Sequence, residues 1–366
     1  MILREGRATL QLVAIILAAV AFCSPAYGDD KGEHDLLDWL QDLTEKKPVS
    51  ESANVPSVEA TLLTLESRES EMFPKISPDG KHLLVVSGKH NKHAVTRRLV
   101  ENGDPLNTVT SDLRALQSIK WNGSGHATFL SDRGGDLGVW QTSATAKSTV
   151  RRLHRLTGEF VEAIVLDDGG LIGVRLLPTS GRNSIKKQTL HAFDFNNWKV
   201  AGNEMRLFHI SDKGVESSLT AGVNPSLSPD GKSIVFSMHT GRSWHLFMVD
   251  VDGSNLIQLT NSKSIDVQPT WSPSGEWIAF TSNRGESGAK VRKENWDIWM
   301  IRRDGQHLTR LTYDDARDGA PAIGSNGRVY FHSDRKVDRA TRKQHHVASG
   351  TSGFHIWSVP LPARVE

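Results

Sequence analysis

The chain has 366 residues, 37% of them hydrophobic and 23% charged, which is the balance of an ordinary globular protein and excludes a disordered or collagen-like one. Lys+Arg 44 against Asp+Glu 42 leave a formal net charge of +2, which excludes the uniform basic field of a nucleic-acid binder. Past residue 28 there is no cysteine, so disulfides, metal thiolates and a thiol nucleophile are excluded as well.

In chain order, Arg4 and Arg7 precede an apolar run over 8–23, and Ala26-Tyr27-Gly28 follow it. The run is about 15 residues long, short of the roughly 20 that span a bilayer, so 1–28 reads as a secretory signal peptide cleaved before Asp29. Bulky Phe22 ahead of Cys23 argues against a lipidated cysteine. Residues 29–57 read as a short N-terminal helix and a linker: Leu36, Leu37, Trp39, Leu40 and Leu43 repeat at helical spacing, and Pro48 ends the pattern. The helix is expected to dock on the rest of the chain; the alternative is that the stretch 47–56 lets it engage a partner's groove.

From residue 58 to 366 the chain repeats itself. Segments 225–260 and 269–312 are two copies of one unit, with an apolar strand, a Ser-Pro-x-Gly turn, three further short strands and a closing Leu-Thr. Weaker copies begin at Pro74, Ser118, Glu162 and Pro321, and the turn glycines Gly80, Gly125, Gly169, Gly231, Gly275 and Gly327 mark six units. Four strands on a period of roughly 40–45 residues predict an all-β fold, a six-bladed β-propeller. The two longer intervals, before Gly231 and before Gly327, predict loop insertions. The last copy lacks a fourth strand, and residues 60–65 supply one, so the last blade is expected to be closed by this N-terminal strand.

The turns Ser77-Pro78-Asp79-Gly80, Ser228-Pro229-Asp230-Gly231 and Ser272-Pro273-Ser274-Gly275, with Ser282-Asn283-Arg284 and the strand Asp297-Ile298-Trp299-Met300, resemble the WD40-like PD40 repeats of the TolB family. The resemblance covers about residues 58–361. It implies a periplasmic, six-bladed propeller of the cell envelope. That family carries an α/β domain of over a hundred residues before its propeller, and only 29–57 stand there here, so the contacts of that domain are not carried over.

Three residues before the proline of the inner strand, or its equivalent, stand Glu71, Leu116, Phe160, Gly222, Asp266 and Asp318. Glu71, Asp266 and Asp318 are therefore expected at the channel mouth as ligand-binding carboxylates. Converging acids repel unless compensated, which makes Asp266 and Asp318 the metal candidates, for Ca²⁺ or Mg²⁺; otherwise no cofactor is expected. Loops between second and third strands are basic and fall on the face where inner strands begin; Arg97, Arg98, Arg292, Lys293, Arg339, Arg342 and Lys343 are the expected anion-binding residues. The recurring Ser131-Asp132-Arg133, Ser282-Asn283-Arg284 and Ser333-Asp334-Arg335 point to a blade-holding role, since an active site is used once. Trp121, Trp271, Trp140, Trp299 and Trp357 are expected in packing between blades.

No Gly-x-Ser-x-Gly elbow, His-Glu-x-x-His helix or phosphate-binding Gly-Lys-Ser/Thr loop occurs. The expectation is a non-enzymatic, monomeric periplasmic module that binds an envelope protein or an anionic glycan. The alternative is a metal-assisted lyase or hydrolase acting on an anionic polysaccharide with Asp266, Asp318 or His355.

Overall fold

The computed structural model describes residues 59–65, 69–89, 92–143, 149–178, 195–196, 198, 203–241, 243–284, 295–345, 347 and 353–362. The expected signal peptide and N-terminal helix lie outside them. Within them the chain forms six four-stranded antiparallel sheets, a six-bladed β-propeller. Blade one is Ser70–Ile76, His82–Lys89, Lys92–Leu99 and Pro105–Thr110. Blade two is Lys120–Trp121, His126–Ser131, Gly138–Ser143 and Val150–Arg155. Blade three is Phe160–Val165, Leu171–Pro178, Asn203–Ile210 and Glu216–Ala221. Blade four is Val223–Leu227, Ser233–Thr240, Ser243–Asp250 and Ile257–Gln258. Blade five is Asp266–Trp271, Trp277–Ser282, Asp297–Arg302 and Thr309–Arg310. Blade six is Asp318–Ile323, Arg328–Ser333, His355–Pro360 and, outermost, Thr61–Leu62.

Each inner strand packs on the next blade, and blade six packs back on blade one. Sheets covered on both faces need apolar residues on both, which is why Leu83, Leu84, Val85 and Val86 run without a polar interruption and are all buried. The turns after the inner strands of blades one and four share one chemistry. In blades one and four the Ser77 and Ser228 hydroxyls donate to Asp79 and Asp230, accept the N–H of His82 and Ser233 at 2.9 Å, and hold both carboxyls below the usual range. All six turn glycines have φ between 70° and 87°, the left-handed conformation that a side chain would strain.

The ring closes as the sequence predicts. Thr61 pairs with Ser358 and Leu62 with Trp357, and the Leu63 N–H donates to the Ile356 carbonyl at 2.8 Å. The closing Leu-Thr pair is held the same way in each of three blades. The Thr64 hydroxyl accepts the Ile356 N–H at 3.3 Å, as Thr260 accepts Leu246 (3.0 Å) and Thr312 accepts Ile298 (2.9 Å). Residues 63–64 thus do for blade six what 259–260 and 311–312 do for blades four and five.

Candidate functional site

The three predicted channel acids are fully buried, and the compensation comes from arginine. Asp266 Oδ1 accepts from the Ser282 hydroxyl at 2.7 Å and from Arg284 Nε at 3.1 Å, and Oδ2 pairs with Arg284 Nη2. Asp318 pairs with Arg335 at 2.5 Å; burial pushes its carboxyl up to about 6, while Arg335 pulls the other way. Blade two repeats the clamp with Asp112, which takes Ser131 and Arg133, both at 2.9 Å. Spacing pointed to Leu116 instead, because the chain there winds through a single 3₁₀ turn, Leu116–Ser118, before its short inner strand. The guanidiniums stack on aromatics: Arg133 on Phe129 and Trp140, Arg284 on Phe280 and Trp299, Arg335 on Phe331 and Trp357. The repeated Ser-x-Arg therefore fastens the second strand of a blade to the acid that leads its inner strand.

Glu71 has a different partner set. Arg98 lies 3.1 Å from it, and His355 Nδ1, of blade six, lies 3.2 Å from its other oxygen. The carboxylates thus do not share one site; each is tied to its own blade or to its neighbour.

The mouth where the inner strands begin is filled by aromatic side chains. Phe195 and Trp198 come from the long third-interval insertion and are buried in one apolar cluster that also includes inner-strand residues such as Phe73, Val223, Val267 and Ala320. Phe195 stacks on Phe354 (5.8 Å) and meets His332 edge-on (5.7 Å), and Trp198 meets Trp296 at 5.3 Å. Gly319 of blade six admits the Phe195 ring, which a Cβ there would meet at 2.8 Å. Burial holds the His332 imidazole neutral, down to about 3, with Lys75 and Arg317 adding to the effect.

Space remains at the other end of the axis. A cavity of about 550 Å³ runs along the later halves of the inner strands, and exposed Pro78, Pro229, Pro273 and Ser325 of the turns form its rim. Its wall depends on a bulge used in four blades: Phe73, Asn224, Gln268 and Ala320, each just before the inner-strand proline, have φ between 48° and 56°. Positive φ is uncommon outside glycine, and here it swings backbone N–H groups onto neighbouring side chains. Asn224 donates its N–H (2.9 Å) and its side-chain amide (3.0 Å) to Glu162 Oε1, Ala320 donates to Gln268 Oε1 (2.8 Å), and Phe73 to His332 Nδ1 (3.4 Å). Glu162 Oε2 takes the Lys120 ammonium at 3.0 Å. Trp121 and Trp271 donate their indole N–H to the Lys75 and Ser226 carbonyls of the preceding blades, at 2.8 and 3.1 Å.

Lys75 lines this cavity, and its ammonium has no hydrogen-bonded or ion-paired partner among the described residues. Burial in the axis, then the Lys120 charge, lower it to about 7, against a weaker pull from Glu162. Sequence reasoning missed Lys75, Lys120, Glu162, Asn224 and Gln268. The available signal was the residue on either side of the inner-strand proline, where an αL-tolerant Asn and an unexplained Lys stand.

The expected anion-binding loops are only partly loops. Arg97 and Arg98 sit in the third strand of blade one, because Lys92–Leu99 pairs along its whole length with His82–Lys89; Arg98 is buried and Arg97 donates to Asn107 at 3.0 Å. Arg339, Arg342 and Lys343 lie on a short helix, Arg339–Gln344, capped by Asp338, with Arg339 and Lys343 exposed. Arg292 and Lys293 lie outside the described residues.

Comparison with known proteins places this architecture. The PD40 family, described as the TolB beta propeller domain, matches residues 206–289. An uncharacterized protein of Agrobacterium fabrum is 29% identical over 258 residues, 66% of this chain and 76% of that one. The Tol-Pal system protein TolB of Francisella tularensis subsp. mediasiatica is 30% identical over 112 residues, 31% of this chain and 24% of that one, so the chain spans about a quarter of the TolB proteins it matches. Among solved structures, the calcium-binding protein regucalcin of Agrobacterium tumefaciens superposes with a TM-score of 0.51 at 14% identity, covering 85% of this chain and 96% of that one. An oligogalacturonate lyase of Vibrio parahaemolyticus does so with 0.50 at 12%, covering 87% and 97%. These two likenesses show the fold alone. The family match falls on the repeats with the Ser-Pro-x-Gly turns and the Ser-x-Arg clamp, and the propeller is TolB-like.

Proposed function

We propose that this propeller is a non-catalytic binding module of the cell envelope, exported to the periplasm, which receives part of a protein partner in its axial cavity. One observation carries the reading: the cavity opens among exposed turns and presents a cation with no partner among the described residues, whereas the inner-strand acids are spent on arginines, lysine and histidine that hold the ring. Binding sites are concave and combine apolar walls with placed polar groups, and this cavity combines aliphatic side chains with charged and amide ones. The TolB-like repeats and the signal-peptide pattern of residues 1–28 support the envelope assignment. The rival, metal-assisted chemistry on an anionic polysaccharide, needs Asp266 and Asp318 as ligands, and a cation there has to displace Arg284 and Arg335 first.

Affinity capture from envelope extracts tests the reading, with EDTA in a parallel sample. The expected result is a protein partner recovered by the wild type with or without EDTA, and lost when Ser325→Trp and Leu227→Trp fill the cavity. Turnover of acidic glycans that vanishes in Asp266→Ala contradicts it, and recovery of the chain in the cytoplasmic fraction contradicts the export.

A further inference from the structure

The axial cavity holds a charge pattern that selects a ligand. Lys120 is already neutralised by Glu162, and that carboxylate is saturated by the Asn224 amides. Of the bulge N–H groups that face inward, those of Phe73, Asn224 and Ala320 are also taken. Among the charged groups of the described lining, the Lys75 ammonium and the exposed Asp167 carboxylate have no ion-pair partner, and the Gln117 and Asn224 side-chain oxygens are buried without a hydrogen-bond partner; Lys120, Glu162 and the neutral His332 are the ionisable groups acting on Lys75 from blades two, three and six. The aliphatic part of the lining includes Ile76, Ile164, Leu227 and Ile323.

A single point charge without an arginine fork or a free N–H nest matches a monoanion better than a phosphate. The aliphatic walls match an apolar body. Resting on the binding reading above, we propose that the cavity takes a carboxylate carried on an apolar body, seated against the Lys75 ammonium. Two sources share that chemistry, the end of a polypeptide and a free organic acid.

The site has a built-in proton linkage. Empty, Lys75 sheds its proton near neutrality; a bound carboxylate restores the charge, so binding above pH 7 takes up a proton. Affinity is highest below pH 7 and falls as the pH rises, approaching a tenfold loss per unit.

The test uses the full chain with two matched pairs of probes, N-acetyl-Leu-Leu and its C-terminal amide, and hexanoate and hexanamide. Binding is read by calorimetry from pH 6 to pH 9, and Lys75 by NMR of ¹³Cε-labelled lysine. The expected result is that an acid binds and its amide does not, that Lys75→Met loses at least about tenfold in affinity, and that Lys75→Arg keeps binding but loses the pH dependence, since arginine does not titrate there. Binding by the peptide acid alone assigns the carboxylate to a polypeptide, and binding by hexanoate alone assigns it to a small acid. If acids and amides bind alike, or Lys75→Met changes nothing, the carboxylate assignment is overturned while the cavity remains a binding site. If no probe binds, the assignment is overturned too, and the capture from envelope extracts decides the binding reading separately.

Discussion

At the residue scale, the buried arginine clamp carries the clearest energetic consequence. Arg284 is the partner of an Asp266 that is wholly shut off from water. Removing one member of such a pair strands a buried charge, so Arg284→Ala is expected to cost about 3–5 kcal/mol in denaturant unfolding. Arg284→Lys is expected to recover little of it, because an ammonium cannot reproduce the two-nitrogen grip on Asp266 or the stacking on Phe280 and Trp299. His332 gives a pH dependence with a definite sign. Its folded pKa, about 3, lies below the ordinary 6.5, so between these values the unfolded chain binds the extra proton. The stabilisation is fully present above pH 6.5 and is lost as the pH falls toward 3, by about 1.4 kcal/mol per unit. His332→Asn keeps an acceptor for the Phe73 N–H and removes the titration, so the acid limb of its stability curve should be flatter by that amount.

At the element scale, two segments outside the regular repeat hold the ring together. The first is the closing strand. Leu63→Pro removes the donor to the Ile356 carbonyl, and Thr64→Val the acceptor for the Ile356 N–H. Hydrogen exchange should show the third strand of blade six opening far more easily in Leu63→Pro, with the smaller loss, about 1 kcal/mol, in Thr64→Val. Unchanged protection across His355–Pro360 contradicts the closure. The second segment is the aromatic seal, for which Trp198→Ala is expected to cost about 3–5 kcal/mol. These two were not equally legible. The closing strand was readable because a missing Leu-Thr at one end and a spare one at the other obey a repeat. Phe195 and Trp198 lie in an insertion that obeys none, so their length was visible and their destination was not.

At the scale of the whole molecule, the repeat dictates how many sheets there are and that they close, because each sheet hides its faces only against its neighbours. It also dictates the turns, down to the glycine conformations. The candidate site was read far less well. Repetition identifies positions equivalent in every blade, and Glu71, Asp266 and Asp318 were chosen for that equivalence; yet a residue type that recurs from blade to blade is more useful for holding blades than for binding one ligand. The cavity departs from the repeat, with Lys at 75 and 120, Glu at 162 and Asn at 224, a set that only the three-dimensional ring brings together. Which end of the axis is open was likewise invisible, since it depends on where one insertion lands.

The central claim, that the partner enters at the turn end of the axis, is tested most directly by photo-crosslinking in cells. A photoreactive residue at Ser325, on the cavity rim, is compared with one at Arg339, on the loop between the second and third strands of blade six. The prediction is an adduct to an envelope protein from Ser325, competed away when Leu227→Trp fills the cavity, and none from Arg339. Adducts from Arg339 alone contradict it.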